Sequence, residues 1–274
     1  MKAADRAFVE ALRRDEDSGA TAIVARTARL LAGGGRDPAA LLELAEACRA
    51  AQPAMAGLLT IITIVRAGAE PEAALGRLVE RLQRAPASIA RHAAELLRLG
   101  LEPGPGGRPA LAIVTCSASA AVEATVSHLA KRVDVTVSCA ESRPRREGAA
   151  LARRLADAGL DIRLFTDAGI SSAIPGSDAL VIGADAVGPD AFVNKVGSAA
   201  LCALANSAGV PVYVLVGREK ILTANEFERL SGPDRPAPGP PSVFPVTLRL
   251  ENPTFERVQR HLVSQIITDA GAVN

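Results

Sequence analysis

Cys116 opens the run Cys116-Ser117-Ala118-Ser119, directly after an apolar stretch at 111–115. A thiol so placed could serve as an acid, a base or a nucleophile. If the run begins a helix, its free backbone N–H groups suit a phosphate or carboxylate, and the same field lowers the thiol pKa and favours thiolate. The competing reading is a small cysteine filling space between strand and helix. Asp185 follows the apolar run 179–182 through Gly183 and Ala184. Burial there would raise its pKa toward the range of a general acid or base; capping the next helix or pairing with Lys195 is the structural alternative. Glu141 and Arg143 follow a third apolar run, 133–140, and Asn194 and Lys195 stand just ahead of a helix expected from about Gly197. Arg143 and Lys195 supply charge for an anionic substrate, although each by itself could be a salt-bridge partner.

These side chains share a place only if the apolar runs belong to one sheet. Five short runs rich in β-branched residues, at 111–115, 133–140, 161–166, 179–182 and 211–216, alternate with stretches in most cases long enough for a crossover helix. Continuous apolar strands joined by helices indicate a parallel sheet covered on both faces. In such a sheet ligands collect beyond the carboxyl ends of the strands, where these polar residues fall.

The chain before this region reads as helices. Ser18 is a candidate cap for a helix over about 19–31, Pro38 opens a second, Pro53 a third, and Pro71 a long one through Leu97 that could break at Pro86. The punctuation EPGPGGRP at 102–109 then divides an expected helical domain, 1–102, from an α/β domain, 109–274, that carries most of the site. The fold class is therefore α/β, a helical amino-terminal domain plus a Rossmann-like parallel-sheet domain. A second Pro/Gly-rich stretch, SGPDRPAPGPPS at 231–242, is expected to be an ordered surface loop or lid.

Composition excludes several classes of partner. With 49% apolar but only 3% aromatic residues and no Trp, the core must be aliphatic. A net charge of +1, from 31 basic and 30 acidic side chains, gives no broad attraction to nucleic acid, and there is little to stack on bases. Cys48, Cys116, Cys139 and Cys202 form no C-x-x-C pair, so neither a metal site nor a disulfide framework is expected. No apolar leader and no 18-residue uncharged apolar run is present, so no membrane association and a cytoplasmic location are expected. His92, His128 and His261 fall in expected helices and are assigned structural or exposed roles. No G-x-G-x-x-G follows the first strand, which argues against a nicotinamide cofactor, and none is expected.

Four stretches carry a family resemblance: TCSASAAVEATV from Thr115, AESRPRREGAALARRLADAGL from Ala140, VIGADAVGPDAFVNKVGSAALCALANSAGVPVYV from Val181 and ENPTFERVQRHLVSQIITDAG from Glu251. With fainter matches at SGATAIVARTARLL and QPAMAGL, the chain resembles the group containing the alpha, beta and delta subunits of translation initiation factor 2B, methylthioribose-1-phosphate isomerase and ribose-1,5-bisphosphate isomerase. The resemblance implies a helical domain on a Rossmann-like domain, assembled as a homodimer or larger homo-oligomer. It also implies that Cys116 and Asp185 are the catalytic pair and that Asn194 and Lys195 contact substrate. Further contacts are expected from Ser117, Ser119, Glu141, Arg143 and Gly148. Ser18, Gly19 and Ala20 stand where the isomerases carry a phosphate-gripping Arg-Gly-Ala turn, here without its Arg. Val114-Thr115 also replaces a common Thr-His pair.

The activity implied is an aldose–ketose isomerase acting on a phosphorylated pentose. A C1 phosphate blocks the anomeric oxygen, so the ring must open with proton donation to the ring oxygen. Hydrogen then moves between C2 and C1, as a proton through an enediol or as a hydride. The alternative is a non-catalytic regulatory protein that binds a nucleotide or sugar phosphate, as the initiation-factor subunits do.

Overall fold

The structure, a computed structural model, describes residues 1–15, 18–68, 70–99, 101, 107–230 and 251–273. Its contacts separate two units: Met1–Ala85 with Asp185–Pro189 and Gly217–Gly232, and Pro86–Ala184 with Asp190–Val216 and Pro233–Asn274. This division differs from one at 102–109 by falling inside a helix and by grouping Asp185 with the helical unit. The stretch 102–106 and the proline-rich segment 231–242 lie outside the described residues.

In the helical unit, α1 (Ala3–Arg14), α2 (Ala20–Ala32), α3 (Pro38–Ala51), α4 (Ala56–Arg66) and the first half of α5 (Pro71–Leu97) bury one aliphatic cluster that includes Leu12, Ile23, Leu31, Leu44, Ile61 and Leu75. α3 starts where Pro38 suggests, because the Asp37 carboxylate accepts hydrogen bonds from the N–H groups of Ala39 and Ala40 and Pro38 lacks the N–H that would go unpaired. α2 departs from the expectation. Its cap is Gly19, with no side-chain bond, while the Ser18 N–H turns back to the Asp15 carboxylate at 2.9 Å. Pro86 does not break α5. Burial of Leu82 and Ala85 before it, and of Ile89, Ala90 and Ala93 after it, offsets the hydrogen bond that proline removes. Segment β5 (Ala186–Val187) also groups here; Val187 bridges Ile221 and accepts the Leu222 N–H at 2.8 Å. The short α9 (Ala224–Glu228) follows, closed by a Thr223/Glu226 capping box.

The second unit is built on a seven-stranded sheet. In chain order its strands and helices are β1 (Ala110–Thr115), α6 (Ala120–Leu129), β2 (Asp134–Ala140), α7 (Glu147–Asp157), β3 (Asp161–Phe165), β4 (Ala179–Gly183), β6 (Ala191–Lys195), α8 (Ser198–Ser207), β7 (Val212–Leu215), β8 (Phe255–Gln259), β9 (Gln265–Thr268) and β10 (Gly271–Val273). The sheet order is β10-β9-β7-β4-β1-β2-β3, parallel except for β9 with β10. β1 therefore sits where the order reverses, with β2 on one side and β4 on the other, and a crevice at its carboxyl end follows from that topology.

Two local expectations change. Asn194 and Lys195, expected just ahead of a helix, close β6, a strand not expected from the sequence, which pairs antiparallel with β8. His261 sits in a 3-10 turn, Arg260–Leu262, between β8 and β9 and not in a helix. The alternating FERVQ and the β-branched QIIT favour strands, and Gly271, at φ +113°, turns the chain back beside β9. Among the described residues no helix is long and apolar enough to cross a membrane.

Candidate functional site

Cys116 follows β1 with 4% of its surface exposed, and its Sγ lies 3.5 Å from Ser198 Oγ. Ser198 heads α8 and is fully buried; its hydroxyl donates to the Lys195 carbonyl at 2.6 Å and accepts from Asn194 Nδ2 at 2.9 Å. Either the thiol or the hydroxyl can donate across the Cys116–Ser198 contact. Asn194 Nδ2 is 4.0 Å from the sulfur, a marginal approach.

The charge of the thiol runs opposite to the sequence-based expectation. Burial pushes the Cys116 thiol up to about 11; the hydrogen bond with Ser198 opposes the rise, the carboxylates of Asp167 and Glu256 add to it, and Lys195 opposes it. The field of α6 does not overcome desolvation. Nor are the N–H groups at that helix start all free, because Ser119 caps α6 by accepting the Val122 N–H. Gly183 is needed beside it, since a Cβ there would stand 2.8 Å from Ser119 Oγ.

Lys195 is 1% exposed. Its ammonium binds Glu147 Oε1 at 2.8 Å and lies 4.9 Å from the centre of the Phe255 ring. Glu147 Oε2 is buried with no hydrogen-bond partner. Glu256, opposite Asn194 in the β6–β8 ladder, accepts the Ala199 N–H at 2.8 Å and so occupies the amino terminus of α8. Glu141 is 3.6 Å from Arg146, whereas Arg143 is exposed and has no ion pair among the described residues. Gly148 is required by packing: a Cβ would approach the Ala140 carbonyl oxygen to 1.9 Å and Ser142 Oγ to 2.7 Å. Ser117 takes a left-handed conformation, φ +62°, and its N–H donates to Ser142 Oγ at 2.7 Å.

Cys116, Asn194 and the Lys195 backbone are thus joined through Ser198, with Ser117 in the turn that follows the thiol. Ser18, Gly19, Ala20 and Asp185 are held within the helical unit. Asp185 is half-buried, not buried, since it occupies a bend beyond β4 instead of the strand itself. Sequence reasoning missed Ser198, Glu147 and Phe255. Ser198 lies three residues beyond Lys195 and Glu147 one before Gly148, so nearness to the two motifs was the available signal.

A helical unit and a unit built on a mostly parallel sheet, with a polar cluster at the sheet's switch point, define an α/β protein of the Rossmann-like class. A crystal structure of translation initiation factor eIF-2B from Pyrococcus horikoshii has the same fold, with a TM-score of 0.80 at 22% identity over 100% of this chain and 98% of that one. The chain belongs to the initiation factor 2 subunit family, whose model matches residues 40–274. Among curated relatives, ribose 1,5-bisphosphate isomerase of Methanocaldococcus jannaschii is 26% identical over 81% of this chain and 73% of its own length. Methylthioribose-1-phosphate isomerase of Geobacillus thermodenitrificans is 30% identical over 52% of this chain. That match covers 43% of the Geobacillus protein, and a second ribose 1,5-bisphosphate isomerase, from Archaeoglobus fulgidus, is matched over 52% of its length.

Proposed function

We propose that the protein is an aldose–ketose isomerase acting on a phosphorylated pentose of the ribose 1,5-bisphosphate or methylthioribose 1-phosphate type. The observation that carries this reading is the contact between the Cys116 thiol and the Ser198–Asn194 pair at the carboxyl end of β1. Relatives with named isomerase activities support it. Cys116 and Asp185 are the acid–base pair in this reading, and Asn194, Lys195, Arg143, Ser117, Ser119, Glu141 and Gly148 form the substrate-binding set with Ser18, Gly19 and Ala20.

The state of the thiol suggests its part. A cysteine held protonated at neutral pH suits proton donation, so Cys116 is assigned the proton for the ring oxygen as the C1–O bond to the ring breaks. Asp185, half-buried in its bend, then takes the proton from C2 and returns it to C1 if that step runs through an enediol, while the C2 hydroxyl proton restores the thiol. The protein needs no nicotinamide in this scheme. A homodimer in the cytoplasm is proposed with it.

Incubation with ribose 1,5-bisphosphate and methylthioribose 1-phosphate, followed by NMR, tests the reading. Conversion of either aldose to its ketose is expected. The burial of the Cys116 thiol favours a second reading, a regulatory protein that binds a sugar phosphate or nucleotide. Binding of both sugars without conversion would establish that alternative and reject the isomerase.

A further inference from the structure

Three loops at the carboxyl edge of the sheet are tied together through one carboxylate outside the assigned set. Asp167, in the loop after β3, accepts the Ser142 N–H on one oxygen at 2.6 Å and the Arg143 N–H on the other at 2.7 Å. Both bonds are short and charge-assisted, and together they fix two successive peptide groups of the loop after β2. Ser142 itself is 2% exposed and left-handed, φ +64°, a conformation that costs energy outside glycine and so needs support. Its hydroxyl donates to the Ala140 carbonyl at 3.1 Å and accepts the Ser117 N–H at 2.7 Å. The path from Asp167 thus reaches the residue next to Cys116, and Ser117 is also left-handed.

The charge pattern gives this connection a purpose. Lys195 and Arg146 both face carboxylates, whereas the Arg143 guanidinium has no ion pair among the described residues. Arg143 is therefore a cation of this edge prepared to meet an anion, and Asp167 holds its backbone while spending its own charge on N–H groups.

Resting on the isomerase reading, we propose that Asp167 is a positioning residue: it sets Arg143 for the substrate's phosphate and, through Ser142, sets the turn that carries Cys116. Its charge also reaches the thiol, adding with Glu256 to the rise caused chiefly by burial, against the Ser198 hydrogen bond and Lys195. A purely structural carboxylate would change melting temperature when replaced, and nothing else.

The test has one arm without substrate. In Asp167→Asn the amides of Ser142, Arg143 and Ser117 should all exchange faster, although Asp167 does not touch Ser117; unchanged exchange at Ser117 overturns the relay. Alkylation of Cys116, followed by mass spectrometry of its peptide, should show its pH profile displaced to lower pH. In the second arm, KM for ribose 1,5-bisphosphate should rise about 10-fold in Asp167→Asn and in Arg143→Ala, and the double variant should be no worse than Arg143→Ala alone. Additive losses overturn the proposal. If the wild type binds this sugar without converting it, the isomerase reading fails, and the same cycle read by calorimetry still decides the role of Asp167. Should Asp167→Asn not fold, Ser142→Ala keeps the question open to measurement. It must speed exchange at Ser117 while Arg143 stays protected, and protection at both sites overturns the relay.

Discussion

Two buried polar side chains of the helical unit and the cluster at the carboxyl edge of the sheet are tied to different things. Gln52 and Arg36 close backbone ends. Gln52 Nε2 donates to the Leu12 and Asp15 carbonyls at 2.7 and 3.0 Å, and Arg36 reaches the Leu30 carbonyl as well as the Asp5 carboxylate. At the carboxyl edge of the sheet, by contrast, Cys116, Asn194 and Ser198 bond mainly to one another, and Glu147 keeps one oxygen unpaired. Groups that complete helix termini contribute to stability, because those carbonyls would otherwise be buried unsatisfied. A cluster of side chains facing each other serves no such end, and a partly unsatisfied one costs stability that an apolar core would not. The contrast predicts that substitutions in the first region change the melting temperature and those in the second change turnover.

The strongest test is Cys116→Ala. Turnover of the phosphopentose should fall by about 10² or more, equivalent to roughly 2.7 kcal/mol or more in the barrier, with little change in melting temperature. Full activity removes the thiol from the mechanism, and an unfolded variant erases the contrast between the regions. Gln52→Ala should behave in the opposite way. Denaturant unfolding should report a loss of about 1–3 kcal/mol from two carbonyls left without their partner, at unchanged kcat/KM per folded molecule.

A pH titration sharpens the same comparison. Burial alone would raise the Asp15 pKa, but Arg26 and the backbone N–H and hydroxyl of Ser18 outweigh it and hold the carboxyl at about 2, below its ordinary 3.8. A depressed carboxylate contributes stability above its unfolded pKa and loses it as pH falls through the folded value. Asp15 should therefore weaken the fold between about pH 3.8 and 2, and Asp15→Asn should flatten the acid limb of the stability curve in that window. Cys116, raised to about 11 and working protonated, should leave no falling limb near the usual thiol range in kcat/KM, since it stays protonated there. The smallest effect belongs to Thr223→Ala, which removes an exposed capping box at α9. About 1 kcal/mol of stability should go, with activity untouched.

Much of this architecture could be read along the chain. The runs at 111–115, 133–140, 161–166, 179–182 and 211–216 became β1, β2, β3, β4 and β7 with ends shifted by one residue at most, because short apolar β-branched runs admit few other conformations. Pro38 and Pro71 marked helix starts for a local steric reason. Other features were not local. The FERVQ and QIIT segments favour strands by their own composition, but that they pair with β6 and β7 is decided by the fold. Pro86 carries a clear break signal that the buried residues on both sides override.

The sequence by itself determined which residues follow which strand, and hence that Cys116, Arg143 and Asp167 stand at strand ends, since a strand's length and direction depend on its own side chains. Only the tertiary structure decided that Ser198, 82 residues further along, shares a hydrogen bond with the thiol, and that Asp185 groups with the helical unit. It also reversed the direction of the thiol's pKa. Desolvation is set by every element packed around the sulfur, whereas the helix field that argued for a thiolate comes from one neighbour alone.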